Sequence, residues 1–239
     1  MRLIKVVSIP NKLIERGVSE MEIKRDEYLE MLQIRRHNGF VKVITGIRRC
    51  GKSYLMNDIF YEKLKEDGVN EKHIIKFAFD SAEDLLLIGE DLQELVVNKK
   101  KVDPKKFMAY VSQRMTDDEM YYLLLDEVQN LDCFEAVLNG YLRKKNMDVY
   151  VTGSNSKFLS SDIITEFRGR GDEIHLYPLS LSEYCEGTGL SPAEAWKDYY
   201  TYGGLPHILT LETEKKKFDY LDNLFESVYL IDILERQRI

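Results

Sequence analysis

The sequence predicts an α/β fold: a parallel sheet of about five strands flanked by helices, followed by a small all-helical C-terminal subdomain. Three observations carry this reading. Short apolar or β-branched runs at residues 40–45, 74–79, 121–125, 149–151 and 174–179 read as strands. Stretches with apolar residues at helical spacing separate them. The run Tyr121, Tyr122, Leu123, Leu124 and Leu125 is apolar without a break, as in strands covered on both faces, the habit of parallel sheets.

The elements follow in order. Residues 1–20 have no strong periodicity and read as an N-terminal extension. Met21 opens a sharper segment in which Tyr28, Leu29, Met31 and Leu32 make an amphipathic helix, and either Met1 or Met21 could start the chain. The strand at 40–45 ends at Gly46. Past Ser53, the residues Leu55, Met56, Ile59, Phe60 and Leu64 fall at helical spacing. The strand at 74–79 stops at Asp80, and polar helical material fills 91–115, with Asp103-Pro104 as a helix start. After the 121–125 strand, Asp132 is expected to begin a helix, with Glu135 as its capping-box partner. Phe134, Val137, Leu138, Tyr141 and Leu142 form that helix's apolar stripe. Residues 149–151 and 174–179 are the fourth and fifth strands. Beyond residue 180 the strand signals stop: 191–202 reads as helix, Gly203-Gly204-Leu205-Pro206 breaks it, and 218–238 reads as a long amphipathic helix. That helix has no glycine C-cap, so further protein is expected to follow it. The domain reading is 1–35 extension and first helix, 36–180 core, and 181–239 a helical subdomain, cut short.

Composition narrows the class. The chain has 239 residues, 44% hydrophobic and 31% charged, which is ordinary for a soluble globular protein. No apolar run approaches the ~18 residues that span a bilayer, and the N-terminus is too weakly apolar for a signal peptide, so no membrane partner is expected. Cys50, Cys133 and Cys185 are odd in number and unpaired in spacing, against both a disulfide framework and a zinc site; a reducing cytoplasm is the expected location. A net charge of −7 gives no general reason to bind nucleic acid, though a local basic face stays open.

The chemistry concentrates in a few places. Gly46-Ile47-Arg48-Arg49-Cys50-Gly51-Lys52-Ser53 matches G-x-x-x-x-G-K-[ST] in full, between a strand and an amphipathic helix, and these residues with Tyr54 are the candidate cofactor-binding set. The motif arises by chance in roughly one chain of this length in a hundred, so its setting matters. Gly46 and Gly51 let the backbone take conformations a Cβ would block. The loop's N–H groups then face phosphates, Lys52 offers a compact charge to the β- and γ-phosphates, and the Ser53 hydroxyl is a ligand for Mg²⁺. Arg48 and Arg49 hold variable positions and receive no catalytic role.

Asp126 and Glu127 end the 121–125 strand. Asp126 can reach the Mg²⁺ shell, and Glu127 can orient or deprotonate a water, which favours hydrolysis over transfer. The strand at 74–79 is one candidate to lie between the loop's strand and the Asp126 strand; the strand at 149–151 is the other. Asn98-Lys99 lacks an aspartate at position 101, against guanine recognition. Within Thr152-Gly153-Ser154-Asn155-Ser156, Asn155 is the candidate to face the γ-phosphate and Ser154 the alternate, against a plain turn and helix cap. Arg168 or Arg170 could reach a neighbouring subunit's nucleotide, against a surface loop with ordinary arginines. His37, His73, His175 and His207 have no ligand spacing, and Trp196, Tyr199, Tyr200 and Tyr202 are expected to pack helices rather than stack bases.

Residues 46–53, Leu124-Leu125-Asp126-Glu127-Val128-Gln129, Val151-Thr152-Gly153-Ser154-Asn155 and Tyr202-Gly203-Gly204-Leu205-Pro206 together resemble the AAA-type ATPases of bacteria and archaea that carry an uncharacterised C-terminal domain. The resemblance runs from about residue 21 to the end, and Leu179-Ser180-Leu181-Ser182-Glu183-Tyr184 narrows it. It implies a Walker A loop at 46–53, a Walker B pair at Asp126 and Glu127, a sensor at Asn155, and ATP with Mg²⁺ as cofactors. The expected activity is ATP hydrolysis that moves an attached domain or a protein or nucleic-acid client, in a possible homo-oligomer joined through an arginine finger. The alternative is a slow-turnover, nucleotide-gated binding module, on DNA for example.

Overall fold

The computed structural model describes residues 23–153, 167 and 169–230. They fall into two compact units: Asp26–Gly46 with Lys52–His175, and Met1–Arg25 with Ile47–Gly51 and Leu176–Ile239.

The first unit is built on a five-stranded sheet in the order β2-β3-β4-β1-β5, where β1 is Val41–Thr45, β2 Ile74–Ala78, β3 Tyr121–Asp126, β4 Met147–Thr152 and β5 Gly171–His175. Every pairing is parallel. Every residue of β1, β3 and β4 is buried, which is why β3 runs apolar instead of alternating; β1 and β4 each bury one charged residue, Lys42 and Asp148. Helix α1 is Asp26–Ile34; α2 runs on through Lys52–Tyr54, a π-helical Leu55–Phe60 and Tyr61–Glu66. Between β2 and β3 lie α3 (Ala82–Leu87), α4 (Leu92–Val97) and α5 (Pro104–Arg114); α6 (Phe134–Tyr141) links β3 to β4. One core covers one face of the sheet: Phe77, Phe79 and Phe107 stack at ring separations of 4.8 to 5.2 Å, and Val137, Leu138 and Tyr141 of α6 close the same cluster. At roughly 25 cal/mol per Å² this burial is the main favourable term holding the sheet to its helices.

The sheet order settles which strand separates β1 from β3. It is β4; the strand near residue 74 pairs with β3 on the far side and forms an edge. Two further expectations shift. The fifth strand lies at Gly171–His175 rather than 174–179, and its polar Asp172 is anchored by Arg35 Nε at 2.9 Å and Asn38 Nδ2 at 2.8 Å. The Asp132–Glu135 capping box does not form: α6 starts at Phe134 after Cys133 in a left-handed conformation (φ 48°). The Asp132 N–H is held instead by the Val102 carbonyl at 3.0 Å, beside the isolated bridge Val102–Leu131. By contrast Asp103 caps α5 as expected, accepting from Lys105 N at 2.8 Å.

The second unit is helical: α7 (Leu181–Thr188), α8 (Pro192–Tyr202), a 3₁₀ turn at Pro206–Thr210, and α9 (Glu214–Leu224) continued by a π-helical Phe225–Tyr229. Capping boxes at Ser180/Glu183 and Ser191/Glu194 begin α7 and α8. Gly204 is there for close approach: a Cβ on it would stand 2.1 Å from the Leu179 carbonyl oxygen, whose own N–H donates to Gly204 O at 2.7 Å. Tyr199 and Tyr202 pack inward, but Trp196 and Tyr200 are exposed and lie against each other at 5.9 Å. No helix of the described residues is long and apolar enough to cross a membrane.

Candidate functional site

Parallel strands bring their C-terminal ends to one edge, and ligands of open α/β sheets bind there. In the first unit that edge carries Thr45 at the end of β1, Asp126 at the end of β3 and Thr152 at the end of β4, with Lys52 and Ser53 opening α2. Lys52 is 5% exposed, and its Nζ donates to the Gly46 carbonyl at 3.0 Å. Ser53 is exposed. Within the loop, Gly46 and Gly51 have φ of 137° and 103°, conformations that demand glycine, and Arg49 is left-handed at 65°.

The acidic pair is held by neighbours. Thr152 Oγ1 donates to Asp126 Oδ1 and accepts from the Glu127 N–H at 3.1 Å, so one hydroxyl fixes both residues. Asn57, one turn along α2 from Ser53, approaches Asp126 Oδ2 with its Nδ2 at 3.4 Å. Glu127 is left-handed (φ 52°), and Gln129 Nε2 donates to its Oε2. Asn57 Oδ1 and Gln129 Oε1 are buried with no hydrogen-bond partner, which leaves acceptor capacity beside both carboxylates. Asp80, just past β2, completes the group. Although Asp80 is exposed by surface area, local desolvation, then the charges of Glu127 and Asp126, raise its carboxyl pKa above the ordinary 3.8.

That shift has a measurable consequence. A carboxyl whose folded pKa is raised costs the fold stability wherever it is ionised in both states, and costs nothing once it is protonated in both. Asp80→Asn is therefore expected to raise the unfolding midpoint by about 1–2 °C at pH 7. The gain should fade as pH falls through Asp80's raised pKa and be gone below 3.8. A thermal melt series against pH checks it; a substitution that lowers the midpoint at pH 7 contradicts it.

The other candidates are distributed as follows. Ile47, Arg48, Arg49, Cys50 and Gly51 belong to the second unit, where the Arg49 guanidinium lies 5.5 Å from the Tyr220 ring centre. Tyr54 is 41% exposed on α2. Ser154, Asn155 and Arg168 lie outside the described residues. Arg170 is exposed just before β5, and its carbonyl accepts from Val41 N at 2.9 Å, which puts it at the opposite end of β1 from Gly46. There it lines a cavity of about 670 Å³ with Cys133, Glu135, Asn139 and Arg143. Thr152, Asn57, Gln129 and Asp80 were not singled out from the sequence as site residues. Thr152 carried one available signal, as the last residue of an apolar strand.

Among the described residues no group of three or more His, Cys, Asp or Glu could hold a metal ion by itself. Of the oxygen donors at this edge, the Asp126 carboxylate and the Ser53 hydroxyl are the pair that would hold a metal ion. It fits a hard cation that keeps waters and takes phosphate oxygens, as Mg²⁺ does.

Among curated proteins, the chain is 29% identical over 225 residues to an uncharacterized protein of Haemophilus influenzae, covering 92% of this chain and 52% of that protein. It is 26% identical over 215 residues to the uncharacterized protein MJ1544 of Methanocaldococcus jannaschii, covering 83% and 43%. The chain thus spans about half the length of the curated relatives it matches. Among solved structures it is similar to S. cerevisiae Hsp104 in complex with casein, at 15% identity and a TM-score of 0.48, over 83% of this chain and 38% of that one. The family model described as an AAA domain, AAA_14, matches residues 38–185. That match takes in the whole sheet and both the glycine-rich loop and the acidic pair, and by it the chain belongs to the AAA-domain family of P-loop ATPases.

Proposed function

We propose that this chain binds ATP with Mg²⁺ and hydrolyses it, using the free energy to change the conformation of an attached domain or a bound client. The supporting observation is the Asp126–Thr152–Glu127 arrangement at the strand ends, next to a helix that begins Lys52-Ser53. In this reading residues 46–53 are the Walker A loop and Asp126 with Glu127 the Walker B pair. The loop amides and Lys52 hold the β- and γ-phosphates, which requires Lys52 Nζ to leave the Gly46 carbonyl for a phosphate oxygen. Ser53 and Asp126 would hold the Mg²⁺, which when bound neutralises charge on the phosphate oxygens. Glu127 orients the attacking water and takes its proton. Asn155 remains the proposed sensor, and Thr152 holds the acidic pair in register. Arg170, at the far end of β1 from its own loop, suits a finger only toward another copy of the chain.

Mg²⁺-dependent phosphate release from ATP tests the reading, with Lys52→Ala beside it. The unsubstituted chain is expected to turn over and to bind ATP; Lys52→Ala is expected to weaken ATP binding by about 10²-fold, the loss of one charge-assisted phosphate contact at a water-poor site. A chain that neither binds nor hydrolyses ATP refutes the proposal. One observation favours a second reading, a slow nucleotide-gated binding module: Gln129 already occupies Glu127 Oε2, the carboxylate that would act on water.

A further inference from the structure

We propose that Arg25 is a positioning residue for the phosphate-binding loop, aiming its backbone and tying it to the C-terminal helices so that they sense nucleotide. The inference rests on the ATP reading above. Arg25 precedes the residues matched to the AAA domain and belongs, with the loop 47–51 and the helices, to the second unit.

Arg25 is 4% exposed, and its backbone takes a left-handed φ of 53°. A buried guanidinium is tolerated only when its donors are paired, and these are. Nη1 donates to both Glu183 oxygens, at 3.1 and 3.0 Å, while Nη2 donates to the Cys50 carbonyl at 3.0 Å and the Tyr177 carbonyl at 2.6 Å. Two segments far apart in sequence, at Cys50 and at residues 177–183, therefore meet on one side chain from a third.

The bond to Cys50 matters most. A trans peptide is planar, so the Cys50 carbonyl and the Gly51 N–H point in opposite directions. Holding that carbonyl toward Arg25 turns the Gly51 N–H away from Arg25 and fixes its direction, and a fixed amide direction is what a phosphate-binding loop requires. The other end of the guanidinium grips Glu183, the capping-box residue of α7, whose Oε2 also accepts from Ser180 N at 2.8 Å and Ser180 Oγ at 3.0 Å. A change in the 50–51 peptide on nucleotide binding thus reaches the first turn of α7 through one planar group. Lysine could not do this, because a single ammonium cannot serve a carboxylate bidentately and two carbonyls at once.

The test compares the unsubstituted chain with Arg25→Lys, Glu183→Gln and Lys52→Ala, measuring the ATP dissociation constant, the ATP-induced rise in unfolding midpoint, and kcat against KM. Arg35→Lys, which alters a bridge to Asp172 in the other unit, is the control expected to change none of these. Arg25→Lys is expected to weaken ATP binding about tenfold, to shrink the ATP-induced rise accordingly, and to raise KM far more than it lowers kcat. Glu183→Gln should move the same quantities in the same direction by less, since the amide still accepts one hydrogen bond. A merely structural role would lower the midpoint equally with and without ATP, keep the increment, and overturn the proposal. If Arg25→Lys does not fold, an unchanged increment in Glu183→Gln overturns it instead. No ATP binding by the unsubstituted chain defeats the nucleotide reading and this inference with it; binding lost in Lys52→Ala but intact in Arg25→Lys defeats this inference alone.

Discussion

Glu127→Gln is expected to cut ATP turnover by about 10²–10³-fold while leaving ATP affinity nearly unchanged. The expectation follows from what the substitution keeps. Glutamine has the same shape, so the left-handed backbone at 127 and the bond from its N–H to Thr152 Oγ1 are undisturbed. Its amide oxygen can still accept from Gln129. What it loses is the ability to take a proton from water, and the remaining turnover comes from the loop, Lys52 and Asp126. Phosphate release and equilibrium ATP binding, measured on the same preparation, separate the two effects. Equal losses in both would mean that Glu127 holds the site together rather than acting on water. Gln129 decides between the fast and slow readings. If it restrains Glu127, Gln129→Met raises kcat; if it positions Glu127 for catalysis, the same change lowers it.

The parts of the site visible in the sequence are those where one residue type satisfies one local demand. Gly46 and Gly51 sit at φ values that no other residue takes readily, and Asp126 ends a strand whose six residues are all buried. β3 was legible for the same reason: burial on both faces leaves an unbroken apolar run, whereas β1 and β4 each carry one buried charge, Lys42 and Asp148, within their apolar residues. β5 was misplaced because it is an edge strand, and its Asp172 faces Arg35 and Asn38 instead of a core. Sheet order is not a property of any local pattern, so the sequence leaves the strands at 74 and 149 both open for the place beside β1. The capping box at Asp132 failed because a distant carbonyl, Val102, already held the Asp132 N–H. The true capping box at Ser180 and Glu183 has the same S-x-x-E spacing and was passed over within a motif. Thr152 was hidden by its polar successors, Ser154 and Asn155. Its role depends on three residues from two strands meeting, which no spacing encodes.

The same limit applies inside the sheet, at Lys42. The sequence places a lysine in a short apolar strand; the structure makes β1 a central strand and buries that lysine completely, 0% exposed, against Asp148 of β4 at 3%. Lys42 Nζ donates to Asp148 Oδ1 and to the Phe40 carbonyl at 3.0 Å, and lies 4.7 Å from the Tyr150 ring centre. Asp148 Oδ2 accepts from Tyr150 Oη at 2.9 Å and from His37 N at 3.1 Å. Burial still pushes the Lys42 pKa down despite the carboxylate beside it, so desolvation outweighs the attraction between the two charges. A pair of that kind is costly to break and cheap to remove whole. Lys42→Met is expected to destabilise the fold by about 3–5 kcal/mol, because it strands the Asp148 charge. In a chain of this size that lowers the unfolding midpoint by roughly 6–20 °C. Adding Asp148→Asn, whose amide oxygen can still accept from Tyr150 and His37, should recover more than half of the loss, although Asp148→Asn alone strands the lysine and is itself destabilising. Denaturant melts of the two single variants and the double variant close the cycle. Additive losses would mean that the two charges are independently solvated, and that the sheet tolerates Lys42 for a reason other than Asp148.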